Sequence, residues 1–232
     1  MLSRLPRTLF NSRLATFGSR GTNGRFIHAS ASLRLDYFEE IMVDHNNFRD
    51  LHARFVSAYD KRDQDEMTKI ANTLVREVSL HAISEEISIY KALDENNLHD
   101  CSENDRAAHR VMKEAFKFVD SNSVATLGME KYADAFQRAC QALFQHAEEE
   151  ENDHYQKLSA VLTAPQRSDL AIDYLKARRM VPSRPHPAAP DSGGLGQKVV
   201  GAMVKPIDAA IHGMRDHVPL KYEHTRIDSI QV

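Results

Sequence analysis

Apolar residues recur at spacings of three and four along four long stretches of this chain, the period of helices that bury one face. The first stretch, about Leu35 to Tyr59, carries Phe38, Ile41, His45, Phe48, His52, Phe55 and Tyr59 on one seam. The second, about Asp63 to Leu93, carries Met67, Ala71, Leu74 and Val78, and the seam continues into His81 and Glu85. The third is expected from Ser102 to about Val119, with Ser102 and Asp105 as a capping box and Asp105, His109, Met112, Phe116 and Val119 facing inward. The fourth, about Leu127 to Leu162, places Met129, Tyr132, Phe136, Leu143 and Leu158 around His146 and Glu150. Turn-like segments at Asp60-Lys61-Arg62, Asp94 to Asp100 and Asp120 to Ser123 separate them. Short connections make neighbouring helices antiparallel, so the pattern predicts an all-α, up-down-up-down four-helix bundle over residues 35–162.

The pattern changes outside the bundle. Ser168 to Arg179 reads as a short amphipathic helix with Leu170, Ile172 and Leu175, within a segment 163–180. Residues 181–232 read as linker and tail. Met180 to Gly196 is rich in Pro and Gly, and Val199, Val200, Met203, Val204, Ile207, Ile211 and Met214 then form a weak amphipathic stripe. That stripe is expected to contact the bundle, a partner or a membrane surface. Residues 1–34 hold Arg4, Arg7, Arg13, Arg20, Arg25 and Arg34, several serines and no acidic residue, the composition of a mitochondrial transit peptide. Arg25-Phe26-Ile27-His28-Ala29-Ser30 resembles a two-step matrix cleavage signal, so the expected location is the mitochondrial matrix.

Composition narrows the function classes. Hydrophobic residues at 42% and charged residues at 27% of 232 suit one globular domain with extensions, and a net charge of -3 gives no sign of nucleic-acid binding. Two cysteines, Cys101 and Cys140, form no disulfide framework or Cys-x-x-Cys site, and Cys140 reads as a small core residue. No apolar run is long enough to span a membrane.

The chemistry lies in the seams. His81 and Glu85, like His146 and Glu150, are four residues apart, so each pair shares one helical face and reaches one point in space. Counted from the shared end of the bundle, both histidines lie about 27 to 30 Å deep, and the pairs are level. His45 and His109 lie within a few turns of that layer, and His52 stands two turns nearer the end as an alternative to His45. A lone inward histidine is ordinarily a hydrogen-bonded core residue. One on every helix, two of them paired with Glu at equal depth, points to a metal site of His45, His81, Glu85, His109, His146 and Glu150. Imidazole with carboxylate suits iron, with zinc or manganese possible, and a carboxylate shared between two cations lets them sit close together. The outer members of the Glu148 to Glu151 run read as solvated face, and Glu86 as exposed, with contact to a ligand histidine as the alternative.

Asp44-His45, His81-Ala82-Ile83-Ser84-Glu85-Glu86, His109 and His146-Ala147-Glu148-Glu149-Glu150-Glu151 together resemble the hemerythrin-like, or HHE cation-binding, domain. Ser183-Arg184-Pro185-His186-Pro187 resembles the tail of many fungal members. The resemblance implies a non-haem centre, with two irons per chain, that binds or senses iron, oxygen, nitric oxide or reactive oxygen species. Oxygen carriers of the family have a second histidine where this chain has Lys113, a poor iron ligand when protonated, which argues against reversible oxygen carriage. They place the last carboxylate at the position of Glu151, whereas the His-x-x-x-Glu spacing selects Glu150. A ferritin-like set is not expected, because Glu-x-x-His occurs in the fourth helix only as Glu151-Asn152-Asp153-His154. Two other functions remain: a di-iron oxidoreductase or peroxide-reducing enzyme, and a metal-free helical interaction module.

Overall fold

The structure, a computed structural model, describes residues 35–186, Asp208 and residues 213–227. The expected transit peptide, most of the Pro/Gly-rich linker and the stripe from Val199 to Ile211 lie outside the described residues. Among those described, all regular secondary structure is helical: α1 (Tyr37–Asp60), α2 (Gln64–Ile87), α3 (Ile89–Glu95), α4 (His99–Asp120), α5 (Val124–Leu127), α6 (Met129–Glu149), a π-helical turn (Glu150–His154), α7 (Tyr155–Val161) and α8 (Ala164–Met180). None of these helices is long and apolar enough to cross a membrane.

Local chemistry explains most of the boundaries. Asp36 caps α1 by accepting from Phe38 N at 3.0 Å, and Asp63 caps α2 by accepting from Glu66 N at 3.0 Å. Each such cap contributes about 1 kcal/mol. Between the two helices Arg62 turns the chain with φ 57°. Thr163 and Gln166 form a reciprocal capping box at the start of α8, with Pro165 in its first turn.

Three boundaries differ from the sequence expectation. The second helix does not run unbroken to Leu93 but is interrupted at Ser88. There the Ser84 and Ser88 hydroxyls donate back to the carbonyls of Leu80 and Ser84, at 2.5 and 2.6 Å, a back-bonding that bends helices. α4 begins at His99 rather than Ser102, so Ser102 and Asp105 form no capping box. The Ser102 hydroxyl bonds Asp94, and Asp105 turns inward to His154. The fourth stretch starts with a separate turn, α5, and Gly128 then adopts φ 81°, a left-handed conformation that an L side chain rarely takes. It is interrupted again by the π-helical turn within the candidate site.

Packing places a polar layer between two apolar clusters. α1 packs on α2 and α6, α4 packs on α2 and α6, and α8 lies against α1 and α2. One cluster includes Phe48, Phe55, Leu74, Met112, Phe116, Phe136 and Leu143; the other includes Tyr37, Ile41, Ile89, Tyr90, Tyr155 and Tyr174. On α1 and α4 the candidate ligands fall between residues of the two clusters; Glu85 near the end of α2, and His146 and Glu150 at the end of α6, lie between the first cluster and the residues of the second on α3 and α7. Residues 213–227 fold back on α1 and α2. Val218 enters the first core cluster and its N–H donates to Thr73 Oγ1 at 2.9 Å. Asn47 exchanges two 2.9 Å hydrogen bonds with the backbone of Tyr222, and His224 reaches Glu40 and Asp44 at 2.9 Å each.

Candidate metal centre

All six predicted residues converge. His45, His81, Glu85 and Glu150 form one group, and Glu85, His109, His146 and Glu150 a second; within each group one ligand atom per residue lies within 4.8 Å of the others. All six are buried. Glu85 and Glu150 belong to both groups, so two carboxylates stand between two pairs of imidazoles.

The histidines are oriented alike. Their Nε2 atoms face the carboxylates: His81 to Glu85 Oε2 at 3.1 Å, His109 to the same oxygen at 3.4 Å, His146 to Glu150 Oε1 at 3.2 Å and His45 to Glu150 Oε2 at 3.5 Å. Their Nδ1 atoms face outward, each toward an acidic residue from a neighbouring helix. Asp44 on α1 faces His81 at 3.4 Å, Glu86 on α2 faces His109 at 3.0 Å, and Asp105 on α4 faces His146 at 3.9 Å. Glu151 on the π-helical turn closes the ring at 2.7 Å from His45. For His45, His81 and His109 the carboxylate behind Nδ1 holds the ring and leaves the Nε2 lone pair to the interior, which is how imidazoles are held for metal binding; His146 Nδ1 faces Asp105 without a hydrogen bond.

Two tyrosines enter this layer. The Tyr155 hydroxyl is 2.7 Å from Glu85 Oε1 and 2.6 Å from Glu150 Oε1, and the Tyr90 hydroxyl is 2.8 Å from His109 Nε2. Tyr155 reaches inward because the π-helical turn adds a residue to the helical repeat, so Glu150, His154 and Tyr155 are all buried. Sequence periodicity at three and four residues had no means of finding it.

The alternatives left open by the sequence are separated by geometry. His45 lies in the layer, whereas His52 is half-buried, bonds Gln137 at 2.6 Å and packs on Phe136 and Phe144. Glu150 faces the interior, whereas Glu151 serves His45 and Arg49 from outside. Glu86 is not on the solvated face but takes the alternative place, against a ligand histidine. It is fully buried because it bonds both His109 and Lys113. Lys113 is thereby engaged by Glu86.

Electrostatics show strain without a cation. Burial, aided by Glu150, pushes Glu85 well above the usual carboxylate range. Burial opposes charge on Glu150 too, but His146 and His45 outweigh it and hold Glu150 well below that range. Burial lowers His81 and His109 to about 4, so both stay neutral and keep a lone pair available. Burial acts the same way on His45 and His146, yet their acidic neighbours outweigh it and raise them above 6.5. Glu85 Oε2, Glu150 Oε2 and both ring nitrogens of His146 have no hydrogen-bond partner. Such buried orphans are costly, and a cation at the shared carboxylates would satisfy them, so the donor set fits the metal that the sequence implies.

Several flanking residues were invisible in the sequence pattern. The Tyr174 hydroxyl on α8 donates to Asp44 and lies 3.0 Å from His81 Nδ1, and Arg178 bridges Asp44 and Glu77 at 2.8 and 2.7 Å. His224 completes this side: burial opposes its charge, but Asp44 and Glu40 raise it to about 9. α8 and the tail thus hold Asp44, the carboxylate that faces His81.

Fold and site together define a protein that is helical throughout its described residues, with a buried imidazole and carboxylate cage able to hold cations. The chain is 27% identical over 175 residues to a protein of Schizosaccharomyces pombe described as an uncharacterized hemerythrin-like protein, covering 73% of this chain and 82% of the relative. That likeness supports the reading of this chain as a hemerythrin-like domain protein. No protein-family model matches the chain, and no solved structure matches it.

Proposed function

We propose that this chain is a non-haem di-iron protein that binds or senses a small reactive ligand such as oxygen, nitric oxide or peroxide. The observation that carries the reading is the shared pair, Glu85 and Glu150, faced by four Nε2 atoms whose rings are each backed by a carboxylate. The alternating order in which successive helices pass between the two apolar clusters supports the up-down-up-down arrangement of the bundle. His45 and His81 would hold one iron and His109 and His146 the other, with Glu85 and Glu150 common to both. Such a pair of irons supplies one-electron chemistry and open positions for a small ligand.

The chain's own residues set the conditions for that chemistry. Glu85 and Glu150 carry the charge that offsets the cations, and the buried layer excludes bulk water and any large substrate. Tyr155 holds a phenolic proton at its Oη against both carboxylates, and Tyr90 holds one against His109. Lys113 neutralises Glu86 and contributes no donor to the interior, so the third long helix offers a single nitrogen. That supports reaction or sensing over stable oxygen carriage.

Loading the purified chain with iron(II) under anaerobic conditions tests the proposal directly. Two irons per chain are expected, with an optical spectrum that changes on admitting air. At free iron about 100 times its dissociation constant, one site adds about 2.7 kcal/mol, or roughly 5 to 11 °C in melting temperature for a chain of this size. Equal melting temperatures with and without iron would favour the metal-free helical module.

Uptake is also expected to release protons. Glu85, His45 and His146 all bind protons more tightly than usual, and all must give them up to a cation. The loaded form therefore holds fewer protons, and apparent affinity falls as pH drops from above 6.5. Titration in weak buffer with a pH indicator should report net proton release, and uptake without any release would contradict this assignment.

The arginine-rich, acid-free start supports import into the mitochondrial matrix. Mass spectrometry of the endogenous protein is expected to show loss of roughly the first 26 to 34 residues. An intact Met1 end would count against import with processing.

A further inference from the structure

A second group of metal-ligating side chains lies outside the central layer. Cys101, near the start of α4, meets Asp153 and His154 from the π-helical turn, and one ligand atom of each lies within 4.8 Å of the others. Cys101 and His154 are buried, while the Asp153 side chain is 52% exposed, so the group has a solvent-facing side. The His154 ring is held as a ligand ring would be: its Nδ1 is 2.6 Å from Asp105 Oδ1, which leaves Nε2 for the Asp153 side, 3.9 Å from Asp153 Oδ2. The π-helical turn that brings Glu150 and Tyr155 inward also places His154 and Asp153 beside Cys101.

We propose that Cys101, Asp153 and His154 form a second cation site, for zinc or a similarly thiophilic divalent ion, on the outer side of the di-iron layer. The donor chemistry separates the two sites. Thiolate, imidazole and carboxylate together suit zinc, whereas the inner set has no sulfur. Three protein ligands leave a fourth position for water on the exposed side. In the ion-free chain Lys157 pairs with Asp153 at 2.7 Å; both side chains are about half exposed, so the pair is weak and a divalent cation displaces the lysine at little cost. Asp105 joins the two sites, since the oxygen that orients His154 also faces His146 Nδ1 at 3.9 Å. One carboxylate thus orients the His154 imidazole and sets its charge beside His146.

Cobalt(II) is the discriminating probe, because a sulfur-to-cobalt charge-transfer band can arise only where a thiolate is bound. Cys140 is fully buried in the apolar core and cannot supply it. Titration of the reduced, iron-loaded full chain with cobalt(II) is expected to develop this band, saturating at one cobalt per chain, and zinc(II) should abolish it by competition. Cys101→Ser should remove the band, His154→Gln should weaken binding by at least about tenfold, and Cys140→Ser should leave the band unchanged. Helical circular dichroism reports folding of each variant, and should Cys101→Ser lose it, His154→Gln decides by the same titration. Absence of the band in the native chain, its survival in Cys101→Ser, or full affinity in folded His154→Gln would overturn the proposal.

Discussion

Glu150→Ala is expected to abolish binding of both irons, with apparent affinity falling by more than about 100-fold. Glu150 belongs to both groups of ligand atoms, lies opposite His45 and His146, and accepts a hydrogen bond from Tyr155. Loss of an outer partner alone typically costs about 10- to 100-fold, so loss of a carboxylate common to two cations should exceed that range. His109→Ala should be milder, because His109 belongs to one group only. His52→Ala is the control: its ring bonds Gln137 outside the layer, and two irons per chain should remain. Metal analysis after gel filtration reads all three variants. Two irons and an unchanged spectrum in Glu150→Ala would mean that the centre lies elsewhere.

Arg178→Ala should produce the largest loss of stability, about 3 kcal/mol. The guanidinium joins Asp44 and Glu77, whose side chains are 1% and 2% exposed, so its removal leaves two buried carboxylates short of their shared cation. Breaking a buried pair from one side costs about 3 to 5 kcal/mol. The lower end applies here because His224 still faces Asp44 and Arg76 still faces Glu77. Urea denaturation of the iron-free chain measures the change, which corresponds to roughly 6 to 12 °C in melting temperature. Arg178→Lys should restore little, since an ammonium lacks the planar fork that bridges two carboxylates. Because Asp44 also orients His81, iron affinity should fall by about 10- to 100-fold in the same variant. A change below about 1 kcal/mol would show that the neighbouring charges rearrange.

The sequence by itself determined the features that one helix can encode. Residues four apart share a face wherever the helix lies, so the pairing of His81 with Glu85 and of His146 with Glu150 was legible, as were the inward settings of His45 and His109. The seams through Phe48, Leu74, Phe116 and Phe136 were legible for the same reason, because burial follows the period of the helix. Tertiary structure alone decided the rest. Asp44, Glu86, Asp105 and Glu151 each back a histidine on a different helix, and relations between helices leave no mark in the spacing along either one. The roles of Glu151 and Tyr155 depend on the π-helical turn, whose single extra residue shifts the repeat, and Tyr174, Arg178 and His224 act on the site only because α8 and the tail return to α1 and α2. Helix period is a local property of the backbone, whereas satisfying buried charge depends on which helices meet.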